Sequence, residues 1–204
     1  HMKIICVGRN YVEHAKELSN PVPKKPLIFF KPDTSVLRNN KDFYYPASSE
    51  NIHYECEMVL RISREGKFIE EKFVDSYIDG IGLGIDFTAR DIQSEAKKKG
   101  HPWTLAKGFN DAAPVSEFLP PADFSNLMDL NFSCTINGEL KQKGHTADMI
   151  FSVTHLISYI TQFITIKKGD LIFTGTPEGV GQVHVGDHIE ASLEGHKLLD
   201  FHVK

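Results

Sequence analysis

The stretch HYECEMVL, residues 53–60, decides how the chain is read, because it sets two glutamates two positions apart inside a run that otherwise has the character of a buried strand. Side chains alternate faces along a strand, so Glu55, Glu57 and Val59 share one face while Tyr54, Cys56, Met58 and Leu60 share the other. Two carboxylates ~5 Å apart repel by about 3 kcal/mol at an effective dielectric of about 20, before any desolvation cost. A solvated strand face and a cation held between the two acids both account for the pair, and the choice falls to the rest of the chain.

Upstream, KIICVG and PLIFFKP read as strands, and RNYVEHAKEL as a short helix with Asn10 as N-cap and Glu13 completing a capping box. SNPVPKKP has three prolines in eight residues and marks a surface loop, which makes residues 10–26 a candidate lid. Downstream, CEMVLRIS and the glycine-spaced YIDGIGLGIDFT are strands, and ARDIQSEAKKKG is a helix closed by Gly100 with its lysines in a solvated last turn. LNFSCTINGELKQKG reads as a hairpin around Asn137-Gly138, and DMIFSVTHLISYITQFI as the main amphipathic helix. DLIFTG, DHIEASL and LLDFHVK return to strand. Long-range β pairing with few helices implies an α+β, predominantly β layout rather than an alternating βαβ one.

A length of 204 residues implies one domain spanning 1–204. With 25% charged and 41% hydrophobic residues and a net charge of -4, the composition is that of an ordinary globular protein. No basic stripe points to nucleic acid, and no apolar run approaches the ~20 residues that span a bilayer. No leader pattern is visible at the N-terminus, where His1-Met2 reads as a remnant of cloning, so a cytoplasmic location is expected. Cys6, Cys56 and Cys134 are odd in number and lie in apolar runs, the pattern of buried reduced thiols, and no Cys-x-x-Cys or His-x-x-x-His spacing suggests zinc.

Chemistry concentrates in GIDFTARDIQ, where Asp86 ends an apolar strand and Arg90 and Gln93 follow about one helical turn apart, a pairing that suits an anionic, oxygen-rich ligand. Glu55, Glu57 and Asp86 together would make an all-carboxylate triad that favours Mg²⁺ or Mn²⁺, although Asp86 also suits a helix N-cap. Lys107, flanked by WTLA and GF, has apolar neighbours that would bury it against an anion. His14 and Glu17 are neighbours on a helical face, a spacing equally suited to a surface pair. GTPEGVG lacks the lysine and Ser/Thr of a phosphate loop and reads as a tight turn presenting Thr176 and backbone amides.

GRNYVEHAKEL, LIFFKP, HYECEMVL, GIDFTARDIQSEAKKKGHPWTLAKGF, INGELKQKG and GDLIFTGTPEGVG together resemble the fumarylacetoacetate hydrolase family, in particular its short single-domain acylpyruvase and oxaloacetate decarboxylase members. The resemblance runs from residue 4 to the C-terminus and implies the family's mixed β-sandwich roll. It implies Glu55, Glu57 and Asp86 as ligands of Mg²⁺ or Mn²⁺, and Arg90, Gln93, Lys107 and Thr176 as residues that face the substrate. His14 and Glu17 become the acid/base pair and Lys107 a catalytic cation, in a homodimer that takes a small keto acid and neither nucleic acid nor membrane. The implied reaction is hydrolysis or decarboxylation of 2,4-dioxo or β-oxo acids such as acylpyruvates, fumarylpyruvate and oxaloacetate, through a pyruvate enolate. A 2-hydroxydienoate isomerase or decarboxylase and a non-catalytic metal-binding module are the alternatives.

Overall fold

The computed structural model describes residues 2–17 and 21–204. His1 of the expected cloning remnant and residues 18–20 of the candidate lid lie outside the described residues. In chain order the first strands are β1 (Ile4–Gly8), β2 (Leu27–Lys31), β3 (Val36–Leu37), β4 (Ile52–Tyr54), β5 (Cys56–Ile62), β6 (Ile78–Ile85) and β7 (Thr88–Ala89). The later ones are β8 (Ala113–Pro114), β9 (Asn131–Ile136), β10 (Glu139–His145), β11 (Leu171–Phe173), β12 (Gly181–Gln182), β13 (His188–Leu193) and β14 (His196–His202). The α-helices are α1 (Val12–Glu17), α2 (Arg90–Lys99), α3 (Thr104–Lys107) and α4 (Val153–Phe163).

One sheet has the order β2-β1-β11-β5-β6, with β1 and β11 parallel and the other neighbours antiparallel; a second, antiparallel sheet has the order β10-β9-β13-β14. The smaller sheets are β12-β4-β7 and β3-β8. This is the mixed, mostly β architecture expected from the scattered strand signals. The alternation read from residues 54–60 is realised in β5: Met58 and Leu60 join the large core shared with Phe132, Cys134, Ile189 and Phe201 of the second sheet, whereas Val59 packs on the opposite face with Ile4, Cys6, Leu171 and Phe173. The three cysteines are buried and free.

Local signals account for most turns. Asn137 and Gly138 take φ of 54° and 77°, the left-handed pair of a tight hairpin between β9 and β10. Gly100 ends α2 in the left-handed region at φ 69°. The fourth helix begins later than the apolar periodicity suggests, at Val153, because Ser152 caps it by accepting from the His155 N–H at 3.2 Å.

The expected N-cap role of Asn10 does not hold. Its side chain donates to the carbonyls of Phe151 (3.1 Å) and Thr174 (2.8 Å) and accepts from the Phe151 N–H (2.8 Å), joining three distant segments. Glu13, expected to complete the capping box, pairs with Lys16 at the surface.

In β6 the glycines of DGIGLGI serve close packing. Ile81, Leu83 and Ile85 enter the large core, while Gly80, Gly82 and Gly84 lie on the other face, where a Cβ on Gly84 would meet Phe173 Cε1 at 2.6 Å and Val59 Cγ2 at 2.9 Å. Phe173 and Val59 are fully buried and have little room to retreat. Gly84→Ala is therefore expected to lower stability by about 1–3 kcal/mol through overpacking, read as a fall in the denaturant midpoint at unchanged slope. An unchanged midpoint would mean that the two faces are not packed as described.

Candidate active site

The site forms where β4 gives way to β5. Glu55 occupies the break between the two strands, and Asp86, immediately after β6, donates its N–H to the Glu55 carbonyl at 2.8 Å, which fixes the two residues side by side. Glu57 follows on β5, paired with Gly84. One oxygen from each of Glu55, Glu57 and Asp86 lies within 4.8 Å of the others, and all three side chains are buried. Asp86 caps no helix, which removes the competing reading of that residue: the position before α2 belongs to Ala89.

Cations reach this cluster from three other elements. Lys107, the last residue of α3, places Nζ 2.8 Å from Glu55 Oε2, 2.6 Å from Asp86 Oδ2 and 2.6 Å from Thr88 Oγ1. Lys31, the last residue of β2, lies 2.7 Å from Asp86 Oδ1 and donates to the carbonyls of Phe87 and Ala112 at 3.0 Å each, and also to that of Lys107. The Lys31 approach is off the hydrogen-bond direction, so Asp86 Oδ1 has an ion-pair neighbour but no hydrogen-bond donor. Arg90, at the start of α2, reaches Glu55 Oε1 at 2.5 Å and donates to Gln93 Oε1 at 2.7 Å. The turn expected between Arg90 and Gln93 thus becomes a contact, with the Gln93 amide N–H groups left for the cavity that both residues line.

The electrostatics are uneven. Burial alone would raise the Glu55 carboxyl, but Lys107 and Arg90 hold it well below the usual carboxylate range. Lys107 goes the other way: burial disfavours its charge, and Asp86 and Glu55 more than restore it, raising its pKa. Glu57 is pushed well above the carboxylate range by burial and by Asp86 and Glu55, which outweigh the Gly175 N–H at 2.7 Å and the more distant Lys107 charge. A buried ion pair ~3 Å apart gains about 5 kcal/mol at an effective dielectric of about 20, and desolvation costs several kcal/mol per ion. The cluster is therefore poor value as a stabilising device. An under-compensated Glu57, an undonated Asp86 oxygen and an all-oxygen donor set fit a hard divalent cation. A second group, His188, Glu190 and Asp200, is half-buried and already neutralised by Lys197, 3.0 Å from Glu190 and 2.5 Å from Asp200.

The turn after β11 closes the cluster. Gly175 has φ 103° and a Cβ there would lie 2.6 Å from Asn10 Cβ, so no other residue fits beside the Asn10 clamp. Thr176 lines the cavity but spends its hydroxyl on the Cys56 carbonyl at 2.7 Å, and it accepts from Gln142 Nε2 at 2.8 Å. Above the cavity, His14 on α1 is buried with Nδ1 3.3 Å from Glu17 Oε2, which leaves Nε2 for the cavity that His14 lines. Glu17 Oε1 accepts from the Gly179 N–H at 3.1 Å, tying α1 to the same turn.

Eight of the nine residues singled out from the sequence line one cavity, and the ninth, Glu17, contacts His14, which does. Sequence reading missed Lys31, although a lysine closing an apolar strand before Pro32 is an unusual place for a solvated charge. It also missed Asn10 and Gln142, whose roles are contacts across more than 80 residues. Lys97 was assigned to a solvated last turn, yet it lines the cavity; its spacing from Arg90 and Gln93, seven and four residues on, is the signal that places it on their face.

Residues 3–204 match the model of the family described as fumarylacetoacetate (FAA) hydrolase C-terminal. The mitochondrial oxaloacetate tautomerase FAHD1 of Mus musculus is 43% identical over 201 residues, covering 98% of this chain and 91% of the relative. The mitochondrial oxaloacetate decarboxylase of Dictyostelium discoideum is 43% identical over 194 residues, 95% and 89% of the two chains. Among solved structures, fumarylpyruvate hydrolase from Pseudomonas aeruginosa in complex with Mn²⁺ and pyruvate superposes with a TM-score of 0.93 at 33% identity, over 98% of this chain and 88% of that one. The 2-hydroxyhepta-2,4-diene-1,7-dioate isomerase of Mycobacterium marinum gives 0.86 at 34% identity, over 98% and 73%. The mitochondrial names of the relatives overturn the cytoplasmic expectation. The lack of a leader pattern carried that reading, and a targeting address is a segment apart from the folded core, so the core is silent on compartment.

If the three carboxylates share one divalent ion, Glu57→Gln keeps the shape and removes the uncompensated charge. The variant is expected to fold, with metal-free stability equal to or above that of the parent, and to lose the rise in melting temperature that Mg²⁺ or Mn²⁺ gives the parent. A full metal-induced shift in Glu57→Gln would rule the shared ion out.

Proposed function

The chain belongs to the fumarylacetoacetate hydrolase family, and on that premise we propose that it is a single-domain, metal-dependent enzyme converting oxaloacetate, a β-oxo acid, and related 2,4-dioxo acids through the enolate of their 2-oxo end. Tautomerisation and decarboxylation of oxaloacetate are its principal reactions, with C–C hydrolysis of acylpyruvates open to the same site. The observation that carries the reading is the buried Lys107 ammonium, 2.6–2.8 Å from Glu55 and Asp86, in a cavity also lined by Arg90, Gln93 and His14. A purely structural ion needs neither this lysine nor a histidine–glutamate pair.

Arg90 and the Gln93 amide bind the carboxylate adjacent to the 2-oxo group, the planar fork suiting two carboxylate oxygens. Lys107 is placed where negative charge collects on the 2-oxo oxygen as the enolate forms. His14 exchanges the proton at C3 through Nε2, with Glu17 holding Nδ1. Glu55, Glu57 and Asp86 would hold a divalent ion, which would supply Lewis-acid polarisation to the site. We take it as Mg²⁺ or Mn²⁺, with Mn²⁺ supported by the Pseudomonas relative.

Three reactions share these parts. In tautomerisation the enol O–H proton is lost and C3 gains one. In decarboxylation the C3–C4 bond breaks, its electron pair stays on C3, and the C4 carboxylate leaves as CO₂. In acylpyruvate hydrolysis His14 takes a proton from the water that adds to C4, after which the same bond breaks. The likeness to the Mycobacterium marinum isomerase supports a second reading, isomerisation of a 2-hydroxydienoate. A homodimer rests on the family resemblance, and light scattering in solution tests it.

Assays of oxaloacetate tautomerisation, oxaloacetate decarboxylation, acetylpyruvate cleavage and dienoate isomerisation, each with Mn²⁺ and with chelator, separate these readings. Activity on oxaloacetate that vanishes with chelator is expected; turnover of the dienoate alone would favour the second reading, and inactivity on all four would sink the enzymatic one. Lys107→Met should depress every reaction, since all pass through the same enolate. His14→Ala should cost acetylpyruvate hydrolysis about 10²- to 10⁴-fold, the usual loss of a general base, and decarboxylation less, because no water is activated there. Equal losses would withdraw the hydrolytic role of His14.

A further inference from the structure

Two cations at the cavity have no use in that account. Arg9 follows β1 with φ 60°, a left-handed backbone that a non-glycine residue adopts at some strain, and its side chain lines the cavity with no hydrogen bond or ion pair among the described residues. Lys97 completes the face of α2 begun by Arg90 and Gln93; much of its surface stays in solvent, but its ammonium lies 5.4 Å from the Trp103 ring centre, at the cavity wall. Trp103 in turn packs edge-on against Phe29 at 5.8 Å, whose other neighbour is Lys107, so the Phe29–Trp103 wall carries a lysine at each end. None of the cavity's carboxylates pairs with Arg9 or Lys97: Glu55 contacts Lys107 and Arg90, Asp86 contacts Lys107 and Lys31, and Glu57 accepts the Gly175 N–H. Burial, then Arg90 and Arg9, push Lys97 down to about 8, with Lys107 adding to the repulsion and only Glu55 opposing it. Two unpaired like charges facing one cavity repel until an anion joins them.

We propose that Arg9 and Lys97 form a second anion subsite at this cavity, which binds the distal carboxylate of a dicarboxylate 2-oxo acid. The inference rests on the enzymatic reading above and names its substrate class: four-carbon and longer 2-oxo dicarboxylates in preference to monoanionic acylpyruvates. It also has a consequence for the partition of oxaloacetate. A carboxylate leaving as CO₂ gives up its charge, so cations on it stabilise the ground state more than the transition state for decarboxylation. Tautomerisation keeps that charge and is not penalised. Arg9 and Lys97 thus bias the site toward tautomerisation.

The test uses the full-length Mn²⁺-loaded protein and the variants Lys97→Met and Lys97→Arg, with Arg9→Asn, a residue that tolerates the left-handed backbone, for the second cation. The quantity read is kcat/KM for oxaloacetate tautomerisation divided by that for acetylpyruvate cleavage, which cancels effects common to both substrates. Lys97→Met and Arg9→Asn are each expected to lower this ratio about 10- to 100-fold, equivalent to about 1.4–2.7 kcal/mol at 1.36 kcal/mol per tenfold, with Lys97→Arg recovering most of it. In the parent the ratio should fall as pH rises through about 8, where free Lys97 loses its charge, and Lys97→Met should lack that step. The fraction of oxaloacetate decarboxylated per tautomerisation should rise in Lys97→Met. Oxalate, which has no distal carboxylate, should still raise the melting temperature of each variant, showing an intact pocket. Equal losses on the two substrates, or a ratio unmoved by both substitutions, would overturn the subsite. A parent protein inactive on both substrates would instead overturn the enzymatic reading and remove the basis of the subsite.

Discussion

Everything at the centre of this protein follows from three carboxylates held within 4.8 Å of one another and away from water. Such a group is prohibitive unless positive charge and hydrogen-bond donors arrive with it, and the fold delivers them from separate places in the chain. Lys31 comes from the end of β2, Lys107 from α3, Arg90 from the start of α2, and an N–H from Gly175 beyond β11. Lys31 also bonds the carbonyls of Phe87, Lys107 and Ala112, so the cation that pairs with Asp86 is the one that pins the loops on either side. Electrostatic compensation and tertiary connectivity are here the same set of contacts.

The compensation is incomplete, and the deficit is where function enters. Glu55 is held ionised, whereas Glu57 is driven toward its neutral form, within a few ångströms of each other. Neighbouring carboxyls pushed in opposite directions mark a site adapted to a ligand rather than to its own stability. A divalent ion shared by the three carboxylates would relieve Glu57, and the cations then in excess would suit an anionic ligand. The same physical imbalance underlies both halves of the proposed function.

Precision comes from small residues and amides rather than from charge. Asn10 ties the approach to α1 to the segments around Phe151 and Thr174, and Gly175 leaves the space that this clamp needs. Gln142 spans the Cys56 N–H, Thr176 and the Pro177 carbonyl, holding the closing turn against β5. Glu17 bonds His14 with one oxygen and the Gly179 N–H with the other. The short α1 has too few residues to be a stable helix alone, so its position over the cavity depends on these attachments.

The sequence by itself determined the strand-rich character, the hairpin at Asn137-Gly138, the helix stop at Gly100 and the pairing of Glu55 with Glu57, because each is written in local spacing: period two, left-handed turn residues, or acids on one strand face; Asp86, at the end of another strand, stayed open between ligand and helix cap. Arg90, Gln93, Lys107 and Thr176 gave weaker local signs, a helical spacing, apolar neighbours and a tight turn, whereas the roles of His14 and Glu17 were legible only through long ordered motifs, since their spacing equally suits a surface pair. Asn10 was misread for the same reason: an asparagine before a helix is a good N-cap by propensity, and only contacts across 141 and 164 residues reassign it. Only the tertiary structure decided that Lys31 lies beneath the triad, that Glu57 is the carboxylate left short of compensation, and that Lys97 and Arg9 reach the cavity with no ion-pair partner among the described residues. Charge compensation acts through space over a few ångströms, and residues that meet there can be any distance apart along the chain.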